Sequence, residues 1–390
     1  MTDKLTDIDE IAAACSDCGT CLSACPVYNT RWMEPDSPRG KVNLIKALRD
    51  GRLEPGDLNK EFIYRCMLCG SCQHICTKGV DFTGMMIDYR NTASRGRKIP
   101  ILKKIILYFY QSFLFKNLSG LADILARTPL KKQFSIPRRR PAKLKKIMTG
   151  AKGQKEKQYD ILLFPGCVLT YFYPEIIEKI YHTLMQKGFS VAIPKHLQCC
   201  GYPFISQGWG KKFFKLRKKN TAVFSQYNYK YLVAPCCTGV TAFKDYYDLK
   251  NIEIYELTEF FYKFIKDAVV DVERFTSPEE LGKKRRVTWH DPCHHLKLLG
   301  LGAAPRFFME QLGESFIDDK SALCCGFGGI FSVGFPDTSK QIFQRKEAKL
   351  DELEVDTVVT ACPGCYLQLR ERLSPGKEVL FFSDIFLHNR

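Results

Sequence analysis

Eight of the first eighty residues are cysteines, and they fall into two copies of one spacing. Cys15, Cys18, Cys21 and Cys25 form the first set and Cys66, Cys69, Cys72 and Cys76 the second, each reading C-x2-C-x2-C-x3-C. Pro26 follows the first set and Thr77 the second. Three thiols two residues apart share one short loop, which can wrap a single inorganic group. The fourth cysteine of each set lies too far along to close on the same group.

The rest of the composition decides between a disulfide framework and metal ligation. The chain has 390 residues and 18 cysteines, which is long enough for two or three domains with proper cores. The opening MTDKLTDIDEIAAAC carries acids where a secretion signal needs bases, and it lacks a long apolar stretch. A cytoplasmic location is therefore expected, where thiols stay reduced and clustered cysteines bind metal. No run reaches the 18 or more apolar residues of a membrane span. The most apolar stretch, 99–125, is interrupted by Lys103, Lys104, Gln111 and Lys116.

The doubled spacing is the pattern of two-cluster bacterial ferredoxins, in which the fourth cysteine of each run ligates the other cluster. This predicts one 4Fe–4S cluster on Cys15, Cys18, Cys21 and Cys76, and a second on Cys66, Cys69, Cys72 and Cys25. Zinc also binds C-x2-C pairs, but it leaves the doubled four-cysteine spacing unexplained. His74, inside the second loop, reads as a surface residue. The stretch 42–48 between the two sets reads as helical.

The second half of the chain repeats itself. The apolar runs DILLFPGC and RVTWHDPC end at Cys167 and Cys293. Each is followed by a Cys-Cys-Gly, at Cys199-Cys200-Gly201 and Cys324-Cys325-Gly326, and then by a second run ending at Cys236 or Cys362. Matching cysteines lie 126, 125 and 126 residues apart. Apolar runs alternating with helical stretches predict α/β units around parallel sheets, with the cysteines at the carboxyl ends of strands, where such sheets bind ligands. Glycine after two adjacent cysteines lets the backbone take unusual angles close to a ligand.

Between the halves, residues 95–157 hold 18 Lys and Arg against Asp123 and Glu156, a net charge of +16 out of +17 for the chain. An amphipathic run (Ile101, Leu102, Ile105, Ile106, Phe109, Phe113, Leu114) with Tyr108 and Tyr110 opens it, and a Lys/Pro/Gly stretch over 140–157 reads as linker. A basic amphipathic helix suits an anionic membrane surface or a membrane subunit. No nucleic-acid-binding motif accompanies the charge, so nucleic acid is not an expected partner.

The pattern Cys, Cys-Cys-Gly, Cys-x-x-Cys, together with the fused ferredoxin domain and its Ser37-Pro38-Arg39-Gly40 segment, resembles the cysteine-rich family of heterodisulfide reductases. The same layout is shared by the iron–sulfur subunits of glycolate oxidase and anaerobic glycerol-3-phosphate dehydrogenase. The resemblance implies a noncubane 4Fe–4S cluster on five cysteines in the second repeat: Cys293, Cys324, Cys325, Cys362 and Cys365. The first repeat departs from it: Cys167, Cys199, Cys200 and Cys236 match, Gly239 stands where the last cysteine belongs, and Cys237 lies at the wrong spacing. That site is left with a further cluster, zinc or nothing. His294 and His295, directly after Cys293, are candidates to hydrogen-bond sulfur or relay protons, whereas Trp289 and His290 read as core.

The expected chain is thus multidomain, α+β and α/β. A helical two-cluster ferredoxin-type domain (1–94) and a basic connector (95–157) precede two cysteine-rich α/β repeats (158–280 and 281–390). No Gly-x-Gly-x-x-Gly follows a strand, so electrons are expected from a partner. The resemblance implies an iron–sulfur subunit working with a flavoprotein dehydrogenase and a quinone or membrane cytochrome, peripheral on the inner face of the cell membrane. The alternative is a catalytic heterodisulfide reductase subunit that cleaves a disulfide at the noncubane cluster. A regulatory zinc protein ranks below both.

Overall fold

The computed structural model describes residues 12–54, 61–93, 143–150, 155–276 and 285–386. The amphipathic run predicted within 101–114 lies outside them. Each cysteine-rich repeat is built on its own parallel sheet. In the first, β1 (Gln158–Leu163), β2 (Val191–Ala192), β3 (Asn228–Ala234) and β4 (Glu253–Glu256) lie in the order β2-β1-β3-β4. In the second, β5 (Val287–Trp289), β6 (Thr357–Thr360) and β7 (Glu378–Phe381) lie in sequence order. The counterpart of β2 is reduced there to a single parallel bridge between Val287 and Phe316.

Strand alternation distributes the two faces of the first sheet between two cores. Ile161, Leu163, Tyr231 and Val233 face a core shared with the second repeat, where they join Val358, Val359 and Phe382. Leu162, Phe164, Leu232 and Ala234 face the opposite way, toward Met85, Met86 and Ile87 of the ferredoxin-type domain. The two repeats are therefore one packed body, stitched by a perpendicular Tyr173–Tyr366 ring pair at 4.9 Å and by Lys179–Asp384 at 2.5 Å.

Among the described residues the N-terminal domain contains two helices of length, α1 (Pro38–Arg49) and α2 (Phe82–Ala93). The Ser37-Pro38-Arg39-Gly40 segment starts the first. Ser37 accepts the Gly40 amide at 2.8 Å as N-cap, and Pro38 occupies the first turn, where its missing N–H costs nothing. A side chain at Gly40 would collide with the Glu34 carbonyl. Arg90 of α2, fully buried, donates to the carbonyls of Ile63, Cys66 and Ser206, tying this domain to the first repeat.

Part of the stretch read as linker belongs to the fold. Leu144 is buried in the shared core, and Thr149 pairs with Ile193 and Lys195 at the edge of the first sheet. A Lys-rich segment can do this because Leu144, with Ile147 and Met148 packed beside it, and backbone hydrogen bonds dock it. At the other end of the first repeat, Val270 bridges Phe386 and Arg274 bonds Glu378 at 2.9 Å, so residues 270–276 pack on the second repeat.

The loop carrying Cys324 and Cys325 is held by a fully buried ion pair between Asp319 and Lys346 of a long helix, Pro336–Glu352. A buried charge left alone is worse than no charge. Lys346→Met is expected to destabilise the chain by about 3–5 kcal/mol in denaturant unfolding, while Asp319→Leu/Lys346→Met recovers most of that loss. Equal losses in the single and double variants would contradict the pair's role.

Candidate iron–sulfur sites

The two N-terminal cysteine loops are conformational copies. Asp17 and Leu68 have φ of 56° and 57°, and Gly19 and Gly70 have φ of 80° and 73°, in matching places. Left-handed backbone at a non-glycine residue is strained and persists where a site demands it. After each glycine a short helix begins, Thr20–Ala24 or Ser71–His74. Cys25, Cys66, Cys69 and Cys72 line one cavity, which with its mouth encloses about 430 Å³. Cys15, Cys18, Cys21 and Cys76 line a second of about 410 Å³, with Cys72 also on its wall. The structure thus gathers the two sets with their fourth members exchanged. Thiolate donors around a closed cradle fit an iron–sulfur group.

The start of α1 supplies each cavity with one cation. Arg39 lines the outer cavity, bonded to Glu34 at 2.8 Å and to the Asp17 carbonyl at 3.4 Å. Lys41 lines the inner one, 2% exposed, with its ammonium on the carbonyls of Pro35 and Asp36. Burial pulls the Lys41 ammonium down, and Cys66 and Cys25 oppose that shift. Burial pushes the Cys25 thiol up to about 12, and raises Cys69 and Cys72 in the same way. Metal binding at these thiols must release protons and therefore weakens as pH falls.

In the second repeat, Cys293 precedes a π-helical turn, His294–Leu298. Such turns collect at functional sites. Cys324 accepts the Gly326 amide at 3.3 Å, and Gly326 has φ of 76°, with no room for a side chain beside the Ser339 carbonyl. Cys362 caps the helix Pro363–Arg372, and Cys365 lies in its first turn. Their sulfurs converge: Cys325 and Cys365 are 3.4 Å apart, Cys293 and Cys325 each hydrogen-bond Cys324, and Cys362 bonds Cys365. All five expected ligands are brought together in one chain of thiol contacts, Cys293–Cys324–Cys325–Cys365–Cys362.

The first repeat is poorer. Cys167 hydrogen-bonds Cys199, Cys199 bonds Cys200, and Cys236 lies near both Cys167 and Cys199. Gly239 leaves open the position that Cys365 fills in the second repeat. Cys237 is turned across the repeat boundary and hydrogen-bonds Cys362, making it a sixth thiol at the second site. Its spacing is wrong for the first site because it serves the contact between the two.

The inner ferredoxin cavity abuts the second-repeat site. Cys25 and Cys69 pack with Cys293 and Cys324 around Met67, Val27, Phe331 and Ile342. The π turn makes the contact: His294 Nε2 meets the Leu68 carbonyl at 2.9 Å, Lys297 donates to Ser71 at 2.7 Å, and Gly70 leaves space that Leu298 fills. Lys297 favours the thiolate at both Cys69 and Cys324. The neighbouring His295 Nε2 lies 2.7 Å from Thr258 and 3.4 Å from Glu256. Both histidines read as sulfur donors therefore commit Nε2 elsewhere.

Two site residues escaped the spacing argument. Lys41 is one; the buried helix start around Ser37 gave a weak signal for it. His290 is the other: read as core, and indeed 1% exposed, its imidazole lies with Cys325 and Cys365. The signal was its register partner in the first repeat, Phe164, which packs edge-on against Phe243 at 4.8 Å.

This fold and these thiol sets define an iron–sulfur protein with a dicluster domain and a duplicated cysteine-rich domain. The 4Fe-4S dicluster domain family matches residues 11–80, and the Cysteine-rich domain family matches 161–244 and 287–370. One of the subunits of a fumarate reductase (CoM/CoB) from Methanothermobacter marburgensis is 27% identical over 92% of this chain and 68% of its own. A probable glycolate oxidase iron–sulfur subunit from Bacillus subtilis is 25% identical over 96% and 93%, and the Escherichia coli glycolate oxidase iron–sulfur subunit 24% identical over 94% and 91%. The chain belongs to this family of oxidoreductase iron–sulfur subunits.

A cation stabilises a cluster's reduced state, and more so where water is excluded. Lys41→Met is expected to make a cluster held by Cys25, Cys66, Cys69 and Cys72 roughly tenfold harder to reduce, about 59 mV for a one-electron step. Arg39→Met should shift only the other cluster, and by less, because Arg39 is part-exposed. EPR-monitored redox titration of both variants checks this; equal shifts of both clusters in either variant would refute it.

Proposed function

We propose that the chain is the electron-transfer subunit of a flavoprotein oxidoreductase complex, passing electrons between a flavin-bearing partner and a quinone or membrane cytochrome. The observation that carries this reading is the contact between the inner ferredoxin cavity and the second-repeat site, through Cys25, Cys69, Cys293 and Cys324. Bound iron–sulfur clusters supply reversible one-electron transfer at these sites. Cys15, Cys18, Cys21 and Cys76 would hold the outer 4Fe–4S cluster, and Cys66, Cys69, Cys72 and Cys25 the inner one. Cys293, Cys324, Cys325, Cys362 and Cys365 would hold a noncubane 4Fe–4S cluster. Cys167, Cys199, Cys200 and Cys236 would hold a further cluster or zinc.

The chain's own groups shape this path. Cys18 is exposed, so the outer site faces partners, whereas Cys69 and Cys325 are buried and kept from water. Trp32, 73% exposed, and Met33 add apolar surface beside the first cysteine loop, which suits docking of a protein partner. The +16 segment over 95–157 suits an anionic membrane surface on the cytoplasmic side. Among the described residues no helix is long and apolar enough to cross a membrane.

The complete second site supports one other reading, a catalytic heterodisulfide reductase subunit. Iron, acid-labile sulfide and zinc per anaerobically purified chain test both. About 12 irons with matched sulfide, and no thiol release from a disulfide at turnover rates, are expected. A value of about 8 would remove the noncubane site. Turnover-rate thiol release would overturn the electron-transfer assignment in favour of disulfide chemistry.

A further inference from the structure

His290 closes strand β5, with its amide on the Val359 carbonyl at 2.8 Å. Its backbone is thereby fixed, and its ring is buried with neither nitrogen hydrogen-bonded. A ring nitrogen, Cys325 Sγ and Cys365 Sγ all lie within 4.8 Å of one another. Among the described residues this is the one group of three metal-type donors so close together. A buried imidazole with two idle nitrogens is rare in a native fold and calls for a missing partner.

The duplication provides an internal control. At the register position of His290 the first repeat has Phe164, and at that of Cys365 it has Gly239. The imidazole is present in the repeat with all five thiols, and an apolar ring replaces it in the repeat that lacks the thiol it faces. Pure packing would not require that exchange, since Phe164 fills the same place with two edge-on ring contacts, to Phe224 and Phe243.

We propose that His290 is a positioning residue of the second site, donating its ring N–H to a sulfur of the iron–sulfur group held by Cys325 and Cys365. The proposal rests on the reading of that site as a cluster site. A neutral imidazole carries one N–H, and a hydrogen bond to an anionic sulfur withdraws electron density, which favours the reduced cluster. No proton is transferred, and iron keeps its cysteine ligands.

The test uses the full chain, purified anaerobically, as wild type, His290→Phe (the first repeat's residue) and His290→Gln (which keeps an N–H donor). His290→Phe is expected to retain its iron and to make the second-repeat centre roughly tenfold harder to reduce, about 59 mV for a one-electron couple. His290→Gln should return at least half of that shift. In ¹⁵N-histidine-labelled wild type, pulsed EPR should show a weak nitrogen coupling at this centre. An unshifted potential in His290→Phe, no histidine coupling in wild type, or the strong coupling of a nitrogen bound to iron would each overturn the proposal. If both variants lose iron, absence of histidine coupling in the wild type still overturns the proposal, and a weak coupling is assigned to His290 by its loss in His290→Gln chains reconstituted with iron and sulfide. Wild-type iron near 8 would instead remove the cluster reading and this inference together, whereas iron near 12 with no histidine coupling removes this inference alone.

Discussion

The arrangement of the sites depends on one contact, the seating of the second ferredoxin loop on the π turn after Cys293. Gly70 leaves the space into which Leu298 packs, Leu68 offers its carbonyl to His294, and Ser71 takes the Lys297 ammonium. Each partner comes from a loop that is itself bent around thiols. The strained backbone at Leu68 and the π turn at His294–Leu298 are therefore two sides of one interface. Small residues and backbone groups let two cysteine sets approach closely, while Lys297 offsets the negative charge that both sets carry as thiolates. Arg90 locks the same domain to the first repeat from the other side.

The duplication shows how one fold is put to unequal uses. Both repeats place a cysteine four residues beyond the end of their first strand and carry a left-handed glycine after the paired cysteines, Gly201 at φ 88° and Gly326 at 76°. Three of the register positions at which they differ lie at the thiols: Phe164 against His290, Gly239 against Cys365, and Cys237 against Pro363. All three changes favour the second site. Even Cys237, which belongs to the first repeat in sequence, points to Cys362. The repeat whose Cys293 and Cys324 pack with Cys25 and Cys69 is the one with the full ligand set.

Local patterns carried much of this into the sequence. The doubled C-x2-C-x2-C-x3-C spacing dictates loop geometry over eleven residues, so the two ferredoxin sets were legible, and so were the parallel sheets with cysteines beyond their strand ends. What stayed hidden was set by contacts distant in sequence. Which repeat seats its first cysteine turn on the second ferredoxin loop depends on residues 226 positions apart, such as Leu68 and His294. Leu144 looked like linker because its neighbours are lysines, yet its burial is decided by the shared core. His290 looked like core because a buried imidazole and a buried phenyl ring occupy similar strand positions, and only side-chain direction separates them.

The central claim is that the inner ferredoxin site is the immediate neighbour of the second-repeat site. EPR on the holoprotein, poised so that both centres are paramagnetic, tests it most directly in a Cys76→Ser background that isolates the inner cluster. The account predicts that the inner cluster's signal is broadened by spin coupling, and that Cys325→Ser abolishes the broadening while Cys200→Ser leaves it. Broadening that survives Cys325→Ser and disappears in Cys200→Ser would put the first repeat next to the ferredoxin cluster and contradict the account.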